Sequence, residues 1–191
     1  QHECHHQGCT KTTPVDQIVQ HEKDCKWRLI LCPGSGFNCT AMIPFCKVEN
    51  HVQECRDCEW PPLQGLEKGL ILAQRFYRDN DWTFKTRFFN YEGKLVFCRV
   101  FKKNGMFTVD VGMKGSLEEC KEFWIKAAIL DANCDYVEPA VKTSFQPRPL
   151  KEDNKPGFCL MVPFNLVSEV VKWTMEVTNF ICIEIKVVKL E

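Results

Sequence analysis

Beyond residue 82 hydrophobic and polar positions mostly follow the two-residue period of strands, not the 3.6-residue period of helices. The last run is the clearest: Ile181, Ile183, Ile185 and Val187 share one face, Glu184 and Lys186 the other. That alternation predicts a strand over 180–190 in a sheet with a dry side and a wet side. Residues 95–101 (LVFCRVF) and 107–111 (FTVDV) form a second pair of strand-like runs. Asn104-Gly105 between them predicts a hairpin, because both residue types tolerate positive φ. Further runs lie at 123–130, 136–145 and 158–162. One stretch departs from the period: in 164–173 (FNLVSEVVKW), Leu166, Val167, Val170 and Val171 suit a short amphipathic helix. Short strands separated by turn signals predict a mainly β fold, an antiparallel sandwich with one or two short helices.

The first sixty residues obey a different rule, a repeat. Cys9, His21 and Cys25 recur thirty positions later as Cys39, His51 and Cys55, and Pro14 recurs as Pro44. A preceding cysteine, Cys4 or Cys32, completes two sets of the form C-x4/6-C-x11-H-x3-C. Zinc is satisfied by four tetrahedral thiolate or imidazole ligands, and each set supplies four. His21 with Cys25, and His51 with Cys55, stand four residues apart, which on a helix is one face and one turn. Thr13-Pro14 and Ile43-Pro44 read as helix starts, with proline at the first helical position and Thr13 as an N-cap. The expectation is two small zinc fingers, at 1–30 and 31–59, ahead of a sandwich at 60–191.

Thirteen cysteines in 191 residues also admit a secreted disulfide framework. An odd count, the absence of a signal-like apolar opening and histidines at matched places in both repeats favour zinc instead. Two structural ions per chain are expected, because four protein ligands leave no coordination position for water or substrate. Binding energy of this kind, about 10–16 kcal/mol in isolated finger peptides, is folding energy for a segment too small to bury a core. His2, His5 and His6 crowd Cys4 and are alternative ligands to it; Cys58, at a C-x2-C interval from Cys55, is an alternative to that residue. Cys46 reads as a buried thiol in the second finger, and Cys98, Cys120, Cys134, Cys159 and Cys182 as reduced core residues of an intracellular protein. Trp60-Pro61-Pro62 marks the domain boundary, and a chain that opens at Gln1 and enters a finger almost at once reads as part of something longer.

Charge disfavours one class of function, nucleic-acid binding. Lysines and arginines balance aspartates and glutamates at 25 each, and each finger mixes both signs, whereas nucleic-acid readers concentrate basic residues along the finger helix. Intrinsic catalysis is disfavoured too: no histidine lies beyond residue 60 to act as general base, and no phosphate loop or nucleophile elbow is present. Glu118-Glu119 reads as a solvated turn. No run has the length and apolarity of a membrane span.

The order of parts, two such fingers followed by a sandwich, resembles the substrate-binding region of the seven-in-absentia ubiquitin ligases, a branch of the TRAF-like fold. The resemblance includes Leu63-Gln64-Gly65, Asp81-Trp82, the segment from Gly105 to Gly115 followed by Phe123 and the strand ending at Leu130, and the stretch 158–190. It implies a recognition module and not a catalyst. In that family an upstream RING domain recruits the ubiquitin-conjugating enzyme, while fingers and sandwich bind substrates and form a homodimer. An extended substrate peptide adds along a sandwich edge, taking affinity from main-chain hydrogen bonds and specificity from alternate side-chain pockets. The positions carried over are Leu63 and Trp82, with Phe84 two residues further along the same face. The family places such a protein in the cytoplasm and also in the nucleus. No RING motif is present in these residues, so the second reading is a RING-less TRAF-like adaptor.

Overall fold

The structure, a computed structural model, describes residues 1–34, 39–63, 70–75, 81–84, 86–130, 142–150, 160–167 and 180–190. Expectations for 136–141, 158–159 and 168–173, for Gln64 and Gly65, and for Cys134 and Cys159 fall outside these residues. Both fingers repeat one plan. In the first, the short pair β1 (His2–Glu3) and β2 (Thr12–Thr13) precedes helix α1 (Val15–Asp24). In the second, β3 (Leu29–Leu31) pairs with β4 (Met42–Pro44), and a 3-10 turn over Phe45–Lys47 leads into α2 (Val48–Glu54).

The helix ends differ from expectation at both sides. Pro14 itself occupies the N-cap of α1, without any side-chain cap, while Thr13 is buried in β2. Proline tolerates this because it has no N–H to leave unsatisfied. Cys25 and Cys55 lie just past their helices in extended conformation, their N–H groups donating to Glu22 O and His51 O. The fourth ligand therefore comes from the first residue after the helix, not from its face.

The remaining strands form two sheets. Lys94–Lys103 (β9) is the centre of the larger one, flanked on one side by β7 (Trp82–Thr83) and β8 (Thr86–Tyr91), and on the other by β10 (Met106–Met113). Outside β8 runs β5 (Cys58–Leu63), and the far side of β10 pairs with β13 (Arg148–Pro149) and β14 (Leu160–Pro163). The smaller sheet has the order β12 (Lys142–Phe145), β11 (Phe123–Leu130), β15 (Phe180–Lys189), β6 (Leu70–Arg75). Pairing is antiparallel throughout except β5 on β8 and β13 on β10, which are parallel. The hairpin at Asn104-Gly105 forms as expected, with φ of 50° and 74° matching the twist of its strands; Glu92-Gly93 turns the same way at 47° and 74°.

Trp60-Pro61-Pro62, expected to separate domains, instead lies inside β5. Proline is tolerated there because β5 has no other partner than β8 among the described residues, and the register shifts between Glu59 and Leu63. The second finger thus runs straight into the larger sheet.

Between the sheets lies the main core. Phe89, Val96, Cys98, Val100, Phe107, Val109, Val111 and Met113 from one sheet meet Phe123, Ile125, Ala127, Ile129, Ile183 and Ile185 from the other. The opposite face of the larger sheet is not wet. Phe88, Leu95 and Phe97 emerge there and pack with Ile30, Val48 and Val52 of the second finger and with Leu150. Burying each such side chain contributes about 1.5–3 kcal/mol. This explains why LVFCRVF reads as a nearly continuous apolar run: residues 95–100 are buried on both faces. The smaller sheet is mixed as well, since Ala128, Leu130 and Cys182 are buried on the face where Lys186 meets Glu184 at 2.8 Å.

Further along the larger sheet's finger-side face, Asp110 is fully buried between two guanidinium groups. Arg99 Nε donates to its Oδ2 at 3.0 Å, and Arg148 donates Nε to Oδ1 at 3.0 Å and Nη2 to Oδ2 at 2.9 Å. Glu118-Glu119 is solvated as expected, but it forms the first turn of a helix, α3 (Leu117–Lys121). Ser116 Oγ accepts from Glu119 N at 3.2 Å and Glu119 Oε2 accepts from Ser116 N at 2.7 Å, a capping box written in the sequence as Ser-x-x-Glu. Contact with Lys94 and with the Ser116 N–H holds the Glu119 carboxyl below its usual range.

Candidate metal centres

The repeat converges in space as well as in sequence. Cys4, Cys9, His21 and Cys25 bring one donor atom each to a common point, as do Cys32, Cys39, His51 and Cys55, and within each set all donors lie within 4.8 Å of one another. Local structure explains the convergence. Cys4 follows β1 and Cys9 precedes β2, so the strand pair presents both thiols together; Cys32 and Cys39 hold the same places around β3 and β4. Backbone bonds from Cys4 N to Lys11 O (3.2 Å) and Cys32 N to Ala41 O (2.9 Å) close these knuckles. The helix then adds its histidine, and the residue after the helix adds the last sulfur.

Spacing within each set fits a tetrahedral ion. Zn–S bonds of about 2.3 Å imply sulfur–sulfur edges of about 3.8 Å, and an imidazole at about 2.0–2.1 Å implies sulfur–nitrogen edges of about 3.5 Å. Cys4 and Cys25 are 3.8 Å apart, Cys32 and Cys55 also 3.8 Å, while Cys9–His21 and Cys39–His51 are each 3.5 Å. A disulfide would hold its sulfurs at about 2.05 Å, so these pairs are not bridged. Backbone donors already aim at the sulfurs: Trp27 N lies 3.4 Å from Cys25 Sγ, and Gly34 N lies 3.3 Å from Cys32 Sγ. Such outer bonds orient thiolates toward a cation.

Three of the thiols are raised, while backbone contact at Lys11 lowers Cys9. Burial, with the nearby sulfurs adding to it, pushes the Cys4 thiol up to about 11, and burial together with Cys32 pushes Cys55 up to about 11. Contact with Cys58 and burial raise Cys32 further. Clustered thiols resist becoming thiolates together unless a cation shares the site, and a dication supplies that charge. Each Cys3His cluster could therefore hold a metal ion.

His5 and His6 have other work. His5 Nδ1 lies 2.6 Å from Glu22 Oε1 and His6 Nε2 3.1 Å from Glu22 O, so both are turned to the helix and away from the Cys4 position. Cys46 is half-buried; its N–H donates to Lys26 O at 2.8 Å, one of two backbone bonds that seat the fingers on each other, the other being Phe45 N to Arg28 O at 2.9 Å. Cys98, Cys120 and Cys182 are buried, and burial pushes Cys120 up to about 12.

Polar contacts join the apolar packing in tying the second finger to the sandwich, and they are not visible from sequence spacing. Lys114 Nζ reaches Glu49 Oε1 on α2 at 2.5 Å, and Thr86 Oγ1 donates to Pro33 O at 3.0 Å. The expected peptide-contact positions lie elsewhere on the same sheet. Leu63 is in β5 opposite Phe89, which faces Val96; Trp82 is in β7 opposite Lys102. Six positions of β9 separate those levels, roughly 20 Å at about 3.3 Å per residue. Leu63 and Trp82 are thus not brought together. Phe84 is half-buried against the main core, its N–H donating to Val100 O at 2.9 Å. Among the described residues no helix is long and apolar enough to cross a membrane. No protein-family model matches the chain, and no curated protein matches it.

Proposed function

We propose that this chain is the partner-recognition half of a seven-in-absentia-type ubiquitin ligase, with one structural zinc ion in each finger. The observation that carries the reading is the seating of a closed Cys3His cluster on the outer face of an antiparallel sandwich, through Ile30, Val48 and Val52 against Phe88, Leu95 and Phe97. Four protein donors leave zinc no vertex for chemistry, so the ion serves rigidity. Strand edges serve recognition. β12, β6 and β5 each have one partner among the described residues, and a substrate peptide would extend one of these edges by main-chain pairing. The same reading gives a homodimer, a cytoplasmic and nuclear location, and a ubiquitin-conjugating enzyme as partner where a RING lies upstream. Without one, the chain is a TRAF-like adaptor. Balanced charge argues against nucleic acid.

The test is co-purification with the whole zinc-loaded chain as bait, followed by mapping of the captured proteins to short extended segments and pairing of those synthetic peptides with the bait. Micromolar binding of such a peptide, abolished when its backbone is N-methylated at alternate residues, is the expected result. Binding that tolerates the methylation would overturn strand addition, and tight retention of an oligonucleotide at 0.15 M salt would move the function to another class.

A further inference from the structure

The two repeats differ at one position that the four-ligand pattern does not use. Three residues after the last ligand the chain makes the same turn in both fingers: Arg28 N donates to Cys25 O at 3.0 Å, and Cys58 N donates to Cys55 O at 3.1 Å. In the first finger the residue placed there is an arginine whose guanidinium folds back onto Cys25 O at 3.1 Å. In the second it is a cysteine.

That cysteine stands beside the metal cluster, outside the four donors that lie within 4.8 Å of one another. Its Sγ lies 4.0 Å from Cys32 Sγ, close to the 3.8 Å edge that Cys32 makes with Cys55. Cys58 is only 7% exposed, so its sulfur is turned away from solvent. The loop between the first two ligands makes room for it: a Cβ at Gly34 would sit 2.9 Å from Cys58 Sγ. A glycine that leaves space for a sulfur, beside a ligand whose N–H···S bond that same glycine supplies, is an arrangement the first finger lacks.

We propose that Cys58 is a fifth donor of the second site, able to take the vertex of Cys55. The proposal rests on the reading that these clusters hold zinc. Zinc has no directional preference of its own, so one thiolate replaces another at a tetrahedral vertex without loss of ligand type. In the exchange the Zn–S bond to Cys55 breaks and one to Cys58 forms; Cys58 gives up its proton to solvent and Cys55 takes one, leaving the charge of the site unchanged. The ion stays bound by three sulfurs and His51. Because Cys58 is the first residue of β5, the exchanged ion is tied directly to the edge of the larger sheet. The second site thus survives loss of Cys55, including its two-electron oxidation to the sulfenic acid by a peroxide that is itself reduced to water or an alcohol, and among the described residues the first site has no such donor to replace Cys25.

Zinc per chain, measured by elemental content on the whole purified protein after dialysis, decides the matter. Wild type and Cys58→Ala should each carry two ions, Cys55→Ala two, the Cys55→Ala/Cys58→Ala pair one, and Cys25→Ala one. In the Cys55→Ala variant loaded with Co²⁺, the sulfur-to-metal charge-transfer band should keep wild-type intensity, and in Cys25→Ala, which loses one of its two ions, it should fall by about half. A Cys55→Ala protein holding one ion, or holding two with a thiolate missing from the cobalt spectrum, overturns the exchange. A Cys58→Ala protein holding one ion also overturns it, since Cys58 would then be an obligatory ligand. Wild type without two ions would instead sink the zinc reading itself.

Discussion

The ring of Phe97 fills the space that a side chain at Gly112 would need: the two residues are cross-strand partners on β9 and β10, and a Cβ at position 112 would lie 2.2 Å from Phe97 Cζ. Phe97 is also one of the three side chains on which the second finger rests. Gly112→Ala should therefore push the ring toward the finger and destabilise the protein by about 1–3 kcal/mol, the range for overpacking. A thermal melt checks it, with a Tm fall of about 2–4 °C per kcal/mol expected for a chain of this size. An unchanged midpoint would mean the ring has another place to go.

The two metal sites should fail differently. Loss of the first ion, by Cys25→Ala, leaves the sandwich covered, because α1 buries no residue and the finger's contacts are with its neighbour. Loss of the second, by Cys39→Ala, uncovers Phe88, Leu95 and Phe97. The expected outcome is one zinc lost in each variant, with little change in sandwich amide protection for Cys25→Ala and faster exchange across β8 and β9 for Cys39→Ala. Hydrogen exchange by mass spectrometry separates the two; equal protection in both would place the finger outside the cooperative unit.

Asp110 should set part of the acid limit of stability. Burial opposes its charge, but the hydrogen bonds and charge of Arg148 and Arg99 outweigh burial, so its pKa is lowered from the usual 3.8. A carboxylate whose folded value is depressed contributes stability that is fully present above its unfolded value and disappears as pH falls through the folded one. Asp110→Asn removes the carboxylate that two buried guanidinium groups share and should cost about 3–5 kcal/mol at neutral pH. Measured by urea denaturation, the gap between the two proteins should be flat from neutrality to about pH 4, by the usual carboxylate value, and close below that. Metal release in acid is common to both and cancels in the difference. A gap that narrows above pH 5 would assign it to another group.

Leu63→Asp and Trp82→Asp probe the proposed recognition edge separately, because their strand levels lie roughly 20 Å apart along β9 at about 3.3 Å per residue. If one extended peptide of six or more residues spans both, each variant should lower peptide affinity at least tenfold with the melt unchanged. Loss at one position only would confine the contact to that edge, and unchanged binding in both would remove these residues from recognition.

What the sequence made legible was whatever local chemistry dictates alone. The eight donors could be named because a tetrahedral ion fixes residue types at short separations, and the β9–β10 hairpin could be placed because Asn104-Gly105 tolerates the positive φ of its turn. The capping box at Ser116 was equally local, yet two adjacent acids mask it unless the serine three positions before Glu119 is read with them. Trp60-Pro61-Pro62 lies within a strand for a physical reason: proline excludes a central strand but not an edge, and β5 is an edge among the described residues. The covered outer face of the larger sheet depends on a contact between residues far apart in the chain, such as Lys114 with Glu49, which no period can express. Its one trace was the unbroken apolar run at 95–98, a strand with no wet side to write.

The seating of the second finger has a practical consequence for anyone searching for binding proteins. A truncation that begins at residue 60 would cut β5 after two residues and leave Phe88, Leu95 and Phe97 facing solvent. Such a bait would be sticky in its own right. Proteins captured by it would report an artificial surface made by the cut, so a screen belongs with the intact chain, in which the second finger covers these side chains.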